Sequence, residues 1–148
     1  MEKQSTAASS GRQARILVVD DVAVVRKSIS LTLTSAGYEV VTAEDGEQAI
    51  RILRESDGSP TVDAILCDLR MPPINGAEAV AYFRREHPSV PVVVLTAYPD
   101  VELAVFLMRQ GVLDFLVKPV LQDELLTVVK RAVEQRAKSA SPAAYEIS

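Results

Sequence analysis

Short apolar runs along this chain end in residues that together suit chemistry on a phosphoryl group. Three aspartates, a threonine and a lysine occupy these positions: Asp20, Asp21, Asp68, Thr96 and Lys118. Carboxylates bind a hard divalent cation such as Mg²⁺, which also takes phosphate oxygens as ligands. A lysine ammonium attracts a phosphate oxygen as a point charge, and a threonine hydroxyl can donate a hydrogen bond to another. These residue types predict a site for Mg²⁺ (or Mn²⁺) and a phosphoryl group, provided that the fold brings them together.

The three carboxylates also impose an electrostatic condition on the site. In a partly buried cluster, Asp20, Asp21 and Asp68 would repel one another by on the order of several kcal/mol, so a cation is expected beside them. Separate roles are the alternative: the Asp20-Asp21 pair as an N-cap of the first helix, and Lys118 as a solvated lysine. Five such residues at the ends of four runs favour a common site.

The apolar runs are predicted to be strands of a parallel sheet. They show little alternation of apolar and polar residues, which is typical of strands buried on both faces. The predicted strands are Ile16–Val19, Tyr38–Ala43, Ala64–Cys67, Val92–Leu95 and Phe115–Val117. Five stretches with helical periodicity follow these strands, and Gly37 and Gly111 are predicted to end the first and fourth helices.

The alternation of strands and helices predicts an α/β fold, a doubly wound five-stranded parallel sheet of the flavodoxin-like type with helices on both faces. Ligands of such sheets bind at the carboxyl ends of the strands, where the strand order reverses. We adopt the order 2-1-3-4-5 because it places Asp20, Asp21 and Asp68 together at the switch point between strands 1 and 3.

Length and composition narrow the class of protein. The 148 residues carry a net charge of −4 and no run of Lys or Arg, so no direct nucleic-acid binding by this segment is expected. A single cysteine and the lack of an apolar stretch of about 18 residues predict a cytoplasmic protein with no membrane contact. One domain is expected over 14–137, with a disordered tail at 1–13 and a tail or linker stub at 138–148.

These motifs, in this order, resemble the receiver domain of bacterial two-component response regulators. The matching positions are Asp20-Asp21, Asp68 with Met71-Pro72, Gly76, Thr96-Ala97 and Lys118-Pro119. The resemblance covers about residues 14–137. It implies a phosphorylation-dependent signalling switch that works by protein contact. It also implies that the chain is not an enzyme beyond self-catalysed phosphoryl transfer and autodephosphorylation.

The resemblance implies a role for each matching residue. Asp68 would accept the phosphoryl group from a sensor histidine kinase or a histidine phosphotransfer protein. Asp20 and Asp21 would hold Mg²⁺ together with Asp68 and the backbone carbonyl of Arg70. Lys118 would pair with the phosphoryl group.

The resemblance also implies a switch and points to two departures from the common pattern. Thr96 would shift to bind the phosphoryl group, and the aromatic side chain of Phe115 would follow that shift. Arg70 and Tyr98 occupy positions that influence dephosphorylation, and both are bulky. We expect them to crowd the attacking water and slow autodephosphorylation; alternatively, Arg70 covers the acidic pocket, or both are ordinary surface residues.

The fourth helix, from about Asp100 to Gln110, carries more apolar residues than one buried face requires. Its core stripe is predicted to be Val101, Ala104, Val105 and Met108. Leu103 and Phe106 would then face outward, with Leu107 near the boundary and Leu113 in the next loop. Exposed apolar clusters usually mark an interface. In the resembled family, the face formed by helix 4, strand 5 and helix 5 commonly contacts a second copy or an effector protein, and burial beneath the C-terminal tail is the alternative.

Two other functions compete with a single-domain switch. The chain could be a receiver domain excised from a longer regulator with a C-terminal output module. The sequence does not distinguish this possibility from a single-domain switch. It could also be a phosphatase of the haloacid dehalogenase type, with Asp68 as nucleophile. That chemistry needs a second acid two residues later, where this chain has Arg70, so the phosphatase is disfavoured.

Overall fold

The chain forms five β-strands and five α-helices in strict alternation, as described by a computed structural model for residues 13–55, 62–69, 76–98 and 100–139. The strands are β1 (Arg15–Val19), β2 (Glu39–Ala43), β3 (Ala64–Asp68), β4 (Val92–Thr96) and β5 (Asp114–Val117). The helices are α1 (Ala23–Ser35), α2 (Gly46–Arg54), α3 (Gly76–Glu86), α4 (Val101–Gln110) and α5 (Gln122–Ser139). Within these ranges every helix is too short or too polar to cross a bilayer.

The sheet has the predicted order, β2-β1-β3-β4-β5, with all strands parallel. In its register Val19 pairs with Cys67, and Asp68 pairs with Leu95. The polar residues that follow or end β1, β3 and β4 therefore reach the same edge of the sheet. This confirms the fold class and the strand order predicted from the chain.

The helices cover both faces of the sheet and create two apolar cores. One core lies under α2, α3 and α4 and contains Leu53, Phe83 and Leu107. The other lies under α1 and α5 and contains Leu33 and Val129. Strands β3 and β4 are buried throughout, which is why their sequences read as continuous apolar runs.

The two glycines predicted to end helices adopt left-handed backbone conformations. Gly37 follows α1 with φ of 101°, and Gly111 follows α4 with φ of 96°. A side chain is unfavourable at such φ values, so glycine is the residue that allows the chain to reverse at both points. At Gly111 an added Cβ would also lie 3.0 Å from Nε of Arg84.

A buried aspartate fixes the edge of the sheet opposite the predicted site. Oδ2 of Asp63 accepts a hydrogen bond from the backbone N–H of Arg15 at 2.8 Å. Its other oxygen lies 3.9 Å from Nε of Arg136, whose guanidinium also donates to Oγ of Ser89 at 3.1 Å. These contacts hold the last turns of α5 against the amino-terminal ends of the strands.

The predicted core stripe of α4 is wrong. Val101, Val105 and Met108 are exposed, whereas Leu107 is only 1% exposed and lies in the first core. Leu103 packs partly buried against that same core, so it does not face outward. The helix begins after the Asp100 N-cap, and the residues that reach the sheet from this start are Leu103 and Leu107, four apart. The sequence offers several apolar residues on either face, so periodicity alone did not identify the buried one.

Replacing Leu107 by Ala is therefore expected to lower the free energy of unfolding by about 2–5 kcal/mol, because truncating a large buried side chain leaves a cavity in the core. Phe106→Ala is the matched control on the same helix; the Phe106 residue is 50% exposed, and the change should stay below about 1 kcal/mol. Urea denaturation of both variants measures the difference. An equal loss of unfolding free energy in the two variants would contradict this orientation of α4.

Candidate functional site

Three carboxylates meet at the carboxyl edge of the sheet. One oxygen each from Asp20, Asp21 and Asp68 can be chosen so that all lie within 4.8 Å of one another. Asp20 and Asp68 are buried, and Asp21 is exposed. The structure thus brings together the three acidic residues predicted from the ends of β1 and β3.

Asp20 is held through each of its polar groups. Its backbone N–H donates to the carbonyl of Ala43 at 3.1 Å, and its carbonyl accepts from Nη1 of Arg26 at 2.7 Å. Oδ1 accepts from the N–H of Val22 at 2.9 Å, and Oδ2 lies 2.9 Å from Nζ of Lys118. These contacts fix the position of this buried carboxylate.

Lys118 supplies the positive charge between the two buried aspartates. Its Nζ lies 2.9 Å from Oδ2 of Asp20 and 3.3 Å from Oδ2 of Asp68. Its backbone N–H donates to the carbonyl of Thr96 at 2.8 Å, and its peptide bond to Pro119 is cis. Burial lowers the pKa of Lys118, but its hydrogen bonds and charge interactions with Asp20 and Asp68 together outweigh this effect, so its pKa is raised.

Thr96 ends β4 beside this lysine and is buried. Its hydroxyl accepts a hydrogen bond from the N–H of Tyr98 at 3.1 Å and donates to the carbonyl of the same residue at 3.3 Å. Such bonds from a threonine side chain to the nearby backbone are a local alternative to other partners. The Thr96 backbone contacts Lys118 of the pocket, while its hydroxyl is bonded within its own turn.

The aspartate pair does not cap the first helix. Val22 occupies the N-cap position of α1, and no side chain accepts a capping hydrogen bond there. Neither aspartate is therefore the N-cap residue, and Oδ1 of Asp20 accepts instead from the N–H of Val22, one residue before the helix.

The donor set fits a divalent cation. Mg²⁺ takes carboxylate oxygens and water in octahedral geometry, and the three carboxylates present oxygens within 4.8 Å of one another. Among the described residues, the buried Oδ2 of Asp20 has Nζ of Lys118 as its one polar contact, at 2.9 Å, which leaves room for a cation on the same oxygen. The backbone carbonyl of Arg70, the fourth predicted ligand, lies outside the described residues.

The residues predicted to act in the switch and in dephosphorylation lie outside the acidic cluster or outside the described residues. Phe115 lies half-buried in β5 against the first core, which also contains residues of α4. The Tyr98 residue is 64% exposed at the rim. The proposed effects of Tyr98 and Arg70 on dephosphorylation stay predictions.

The predicted interface residues do not form one exposed set. Phe106 is exposed, but Leu103 packs against the first core and Leu113 against the second. Leu113 follows the end of α4 and donates its N–H to the carbonyl of Val92 in β4, which draws it toward the sheet. The exposed apolar residues of this face are instead Val101, Val105, Phe106, Met108 and Val117.

Cys67 takes no part in the chemistry of the pocket. Its side chain lies fully buried in the first core, and its pKa is raised by burial and further by the charges of Asp68 and Asp20. A thiol held neutral in this way is a poor nucleophile.

Arg26 contacts the site but was not predicted from the sequence. It lies on α1, and nothing in the pattern of the chain distinguishes it from Lys27 beside it. Only the path of the turn between β1 and α1 brings its guanidinium to the carbonyl of Asp20.

The comparisons with known proteins agree on one family. The sequence model of the response regulator receiver domain matches residues 16–130. The transcriptional regulatory protein GlrR of Escherichia coli (strain K12) is 40% identical over 128 residues, 86% of this chain. The DNA-binding transcriptional regulator NtrC of Salmonella typhimurium is 32% identical over 133 residues, 90% of this chain. The chain spans 28% of the length of each of these two relatives.

A solved structure shows the same architecture. The crystal structure of a response regulator receiver domain protein from Clostridium thermocellum superposes with a TM-score of 0.78 at 28% identity. The match covers 84% of this chain and 97% of that one.

Replacing Lys118 by Met is expected to lower the free energy of unfolding by about 3–5 kcal/mol at neutral pH, because two buried carboxylates lose their counter-charge. A raised lysine pKa contributes stability that is fully present below about 10.5 and is lost as pH rises through the folded-state pKa. The difference between the wild type and the variant should therefore narrow above about pH 10.5.

Urea denaturation across this pH range measures the difference in free energy of unfolding between the wild type and the variant. Lys130→Met is the control at an exposed lysine of α5. If this difference in free energy of unfolding stays constant as the pH rises, the charge of Lys118 does not stabilise the pocket.

Proposed function

The chain belongs to the family of response regulator receiver domains of two-component signal transduction, and on that basis we propose that Asp68 is its phosphoryl acceptor. The observation that carries this proposal is the position of Asp68 at the end of β3. One of its oxygens lies 3.3 Å from the ammonium of Lys118, and its carboxylate belongs to the acidic cluster with Asp20 and Asp21. Phosphoryl transfer depends on positioning and on nearby positive charge, which the lysine and a cation held by the acidic cluster would supply.

The phosphoryl donor is proposed to be a phosphohistidine on a sensor histidine kinase or a phosphotransfer protein. A carboxylate oxygen of Asp68 attacks phosphorus, so that an O–P bond forms while the N–P bond breaks. The departing imidazole keeps the electron pair of that bond and takes up a proton. Hydrolysis of the resulting acyl phosphate by water restores the carboxylate, which makes the chain a switch with self-catalysed chemistry rather than an enzyme acting on other molecules.

Asp20, Asp21 and Asp68 are proposed to hold Mg²⁺, with the Arg70 carbonyl as a further ligand. When bound, the ion would neutralise carboxylate charge and stabilise the negative charge on the phosphoryl oxygens. Lys118 already lies between Asp20 and Asp68, so its ammonium can follow a phosphoryl oxygen with little movement.

The signal is proposed to leave the pocket through Thr96 and Phe115. A phosphoryl oxygen offers the Thr96 hydroxyl a charged acceptor in place of the Tyr98 carbonyl at 3.3 Å. A hydrogen bond to a charged group is worth about 1.5–3 kcal/mol against about 1 kcal/mol for a neutral one, so the hydroxyl should turn inward. Phe115 packs on the same core as Leu107 of α4, and a shift at the end of β4 can therefore reach that helix.

The exposed apolar residues of α4 and β5 are proposed to contact an effector protein or a second copy of the chain. Phe106, Val105 and Val117 support this part of the proposal because they are 50%, 45% and 41% exposed. Apolar side chains grouped at a surface favour protein contacts.

A second candidate keeps this chemistry within a longer regulator. The relatives named above are called transcriptional regulators, and the chain spans 28% of the length of each. In that case the α4 surface would act on an output module rather than on a separate protein.

Acetyl phosphate with Mg²⁺ is expected to add one phosphoryl group to the wild-type chain and none to Asp68→Asn, because an amide cannot serve as the nucleophile. Intact-mass spectrometry measures the added mass. Asp63→Asn is the matched control: it removes the other buried aspartate next to β3, at the opposite edge of the sheet.

Phosphorylation of Asp68→Asn to the wild-type level, or its loss in a folded Asp63→Asn, would contradict the assignment of Asp68. Circular dichroism of each variant establishes that it is folded.

Thr96→Ala is expected to accept the phosphoryl group yet fail to transmit it, whereas Thr96→Ser, which keeps the hydroxyl, should do both. Hydrogen exchange of α4 with and without beryllium fluoride measures transmission. We expect altered protection in the wild type and in Thr96→Ser, and less than half of that change in Thr96→Ala. An unchanged response in Thr96→Ala would remove Thr96 from the switch.

A further inference from the structure

The side chain of Arg26 holds the backbone of the acidic pocket rather than its carboxylates. Nη1 donates to the carbonyl of Asp20 at 2.7 Å, and among the described residues Arg26 forms no ion pair with a carboxylate. Its own helical position is fixed in turn, since its N–H donates to the carbonyl of Val22 at 3.0 Å and its carbonyl accepts from Oγ of Ser30 at 2.8 Å. The guanidinium is thus anchored on α1 and directed at one peptide group.

The orientation of that peptide group sets the direction of the Asp21 side chain. The carbonyl of Asp20 and the N–H of Asp21 belong to the same planar unit, so a fixed carbonyl direction sets the direction in which the chain enters Asp21. No described residue forms a hydrogen bond or an ion pair with the Asp21 carboxylate, which is exposed. Asp20 has contacts at both of its carboxylate oxygens, but Asp21 depends on the backbone alone.

We infer that Arg26 is a positioning residue for the divalent cation site and that it acts by orienting the Asp20–Asp21 peptide so that the Asp21 carboxylate faces the pocket. This inference rests on the proposed function, because it assumes that the three carboxylates bind Mg²⁺. Groups that orient metal ligands contribute strongly to metal affinity, and their loss typically costs about 10–100-fold.

Charge and position predict opposite results for the loss of this arginine. If Arg26 acted only as a nearby positive charge, its removal would relieve repulsion of the cation and Mg²⁺ would bind more tightly. If it orients the peptide, its removal lets Asp21 turn into solvent and Mg²⁺ binds more weakly. The sign of the change therefore separates the two roles.

Isothermal titration with Mg²⁺ on the full chain tests the inference. Arg26→Met removes the donor while keeping a long side chain, and we expect it to weaken Mg²⁺ binding by roughly tenfold. Arg26→Lys keeps a donor and a charge and should remain within about threefold of the wild type, since a tenfold change is the typical cost of losing such a contact. Thermal unfolding without Mg²⁺ reports any loss of stability separately.

A double-mutant comparison identifies Asp21 as the group through which Arg26 acts. In an Asp21→Asn background, Arg26→Met should add little to the loss of Mg²⁺ affinity, because the positioned carboxylate is already absent. A full additional tenfold loss in this background would overturn the inference, as would unchanged or tighter binding in Arg26→Met alone. Should Arg26→Met not fold, Arg26→Gln takes its place, since its shorter side chain also withdraws the donor.

The proposed function and this inference fail in different ways. A wild-type chain that binds no Mg²⁺ would overturn the proposed cation site itself. If the wild type and Arg26→Met both bind Mg²⁺ with the same affinity, the cation site stands and only the role of Arg26 is overturned.

Discussion

The rest of the site depends on one buried arrangement of charges, in which Lys118 lies between Asp20 and Asp68. Its ammonium is 2.9 Å from one carboxylate and 3.3 Å from the other, at a place where water screens charge weakly. Removing two carboxylates from water is expensive unless a cation stays close. The lysine offsets part of the repulsion between the two carboxylates, and the three aspartates with one lysine keep a net negative charge, which favours a divalent cation.

The sheet serves this arrangement by bringing distant residues to one edge. Asp20 follows β1, Asp68 ends β3, Thr96 ends β4 and Lys118 follows β5, and parallel pairing directs all four ends to the same side. At the opposite edge Asp63 ties β3 to Arg15 and to α5. The carboxyl ends of the strands thus carry the acidic cluster proposed to react, whereas at their amino-terminal ends a buried carboxylate binds the protein's own cationic and amide groups.

The residues proposed for the switch, Thr96 and Phe115, are held by fewer contacts than Asp20 in the acidic pocket. Asp20 has a contact at every polar group, whereas within the described ranges both hydrogen bonds of the Thr96 hydroxyl are with the backbone of Tyr98, two residues away. Phe115 is half-buried at the edge strand β5 rather than packed in the centre of a core. Groups that exchange partners are expected among such weakly held positions, whereas the proposed nucleophile and its counter-charge are expected to remain in place.

The fold class, the carboxyl ends of the strands to within one residue and the acidic cluster could be predicted from the amino-acid sequence. Those features follow from apolar runs and from polar residues at their ends, and both are local properties of the chain. The buried face of α4 could not be predicted, because Val101, Val105 and Met108 match a helical stripe as well as Leu103 and Leu107 do. The contact of Arg26 could not be predicted either, since only the turn after β1 brings that guanidinium to Asp20. Contacts set by the path of the backbone leave no periodic signal in a single sequence.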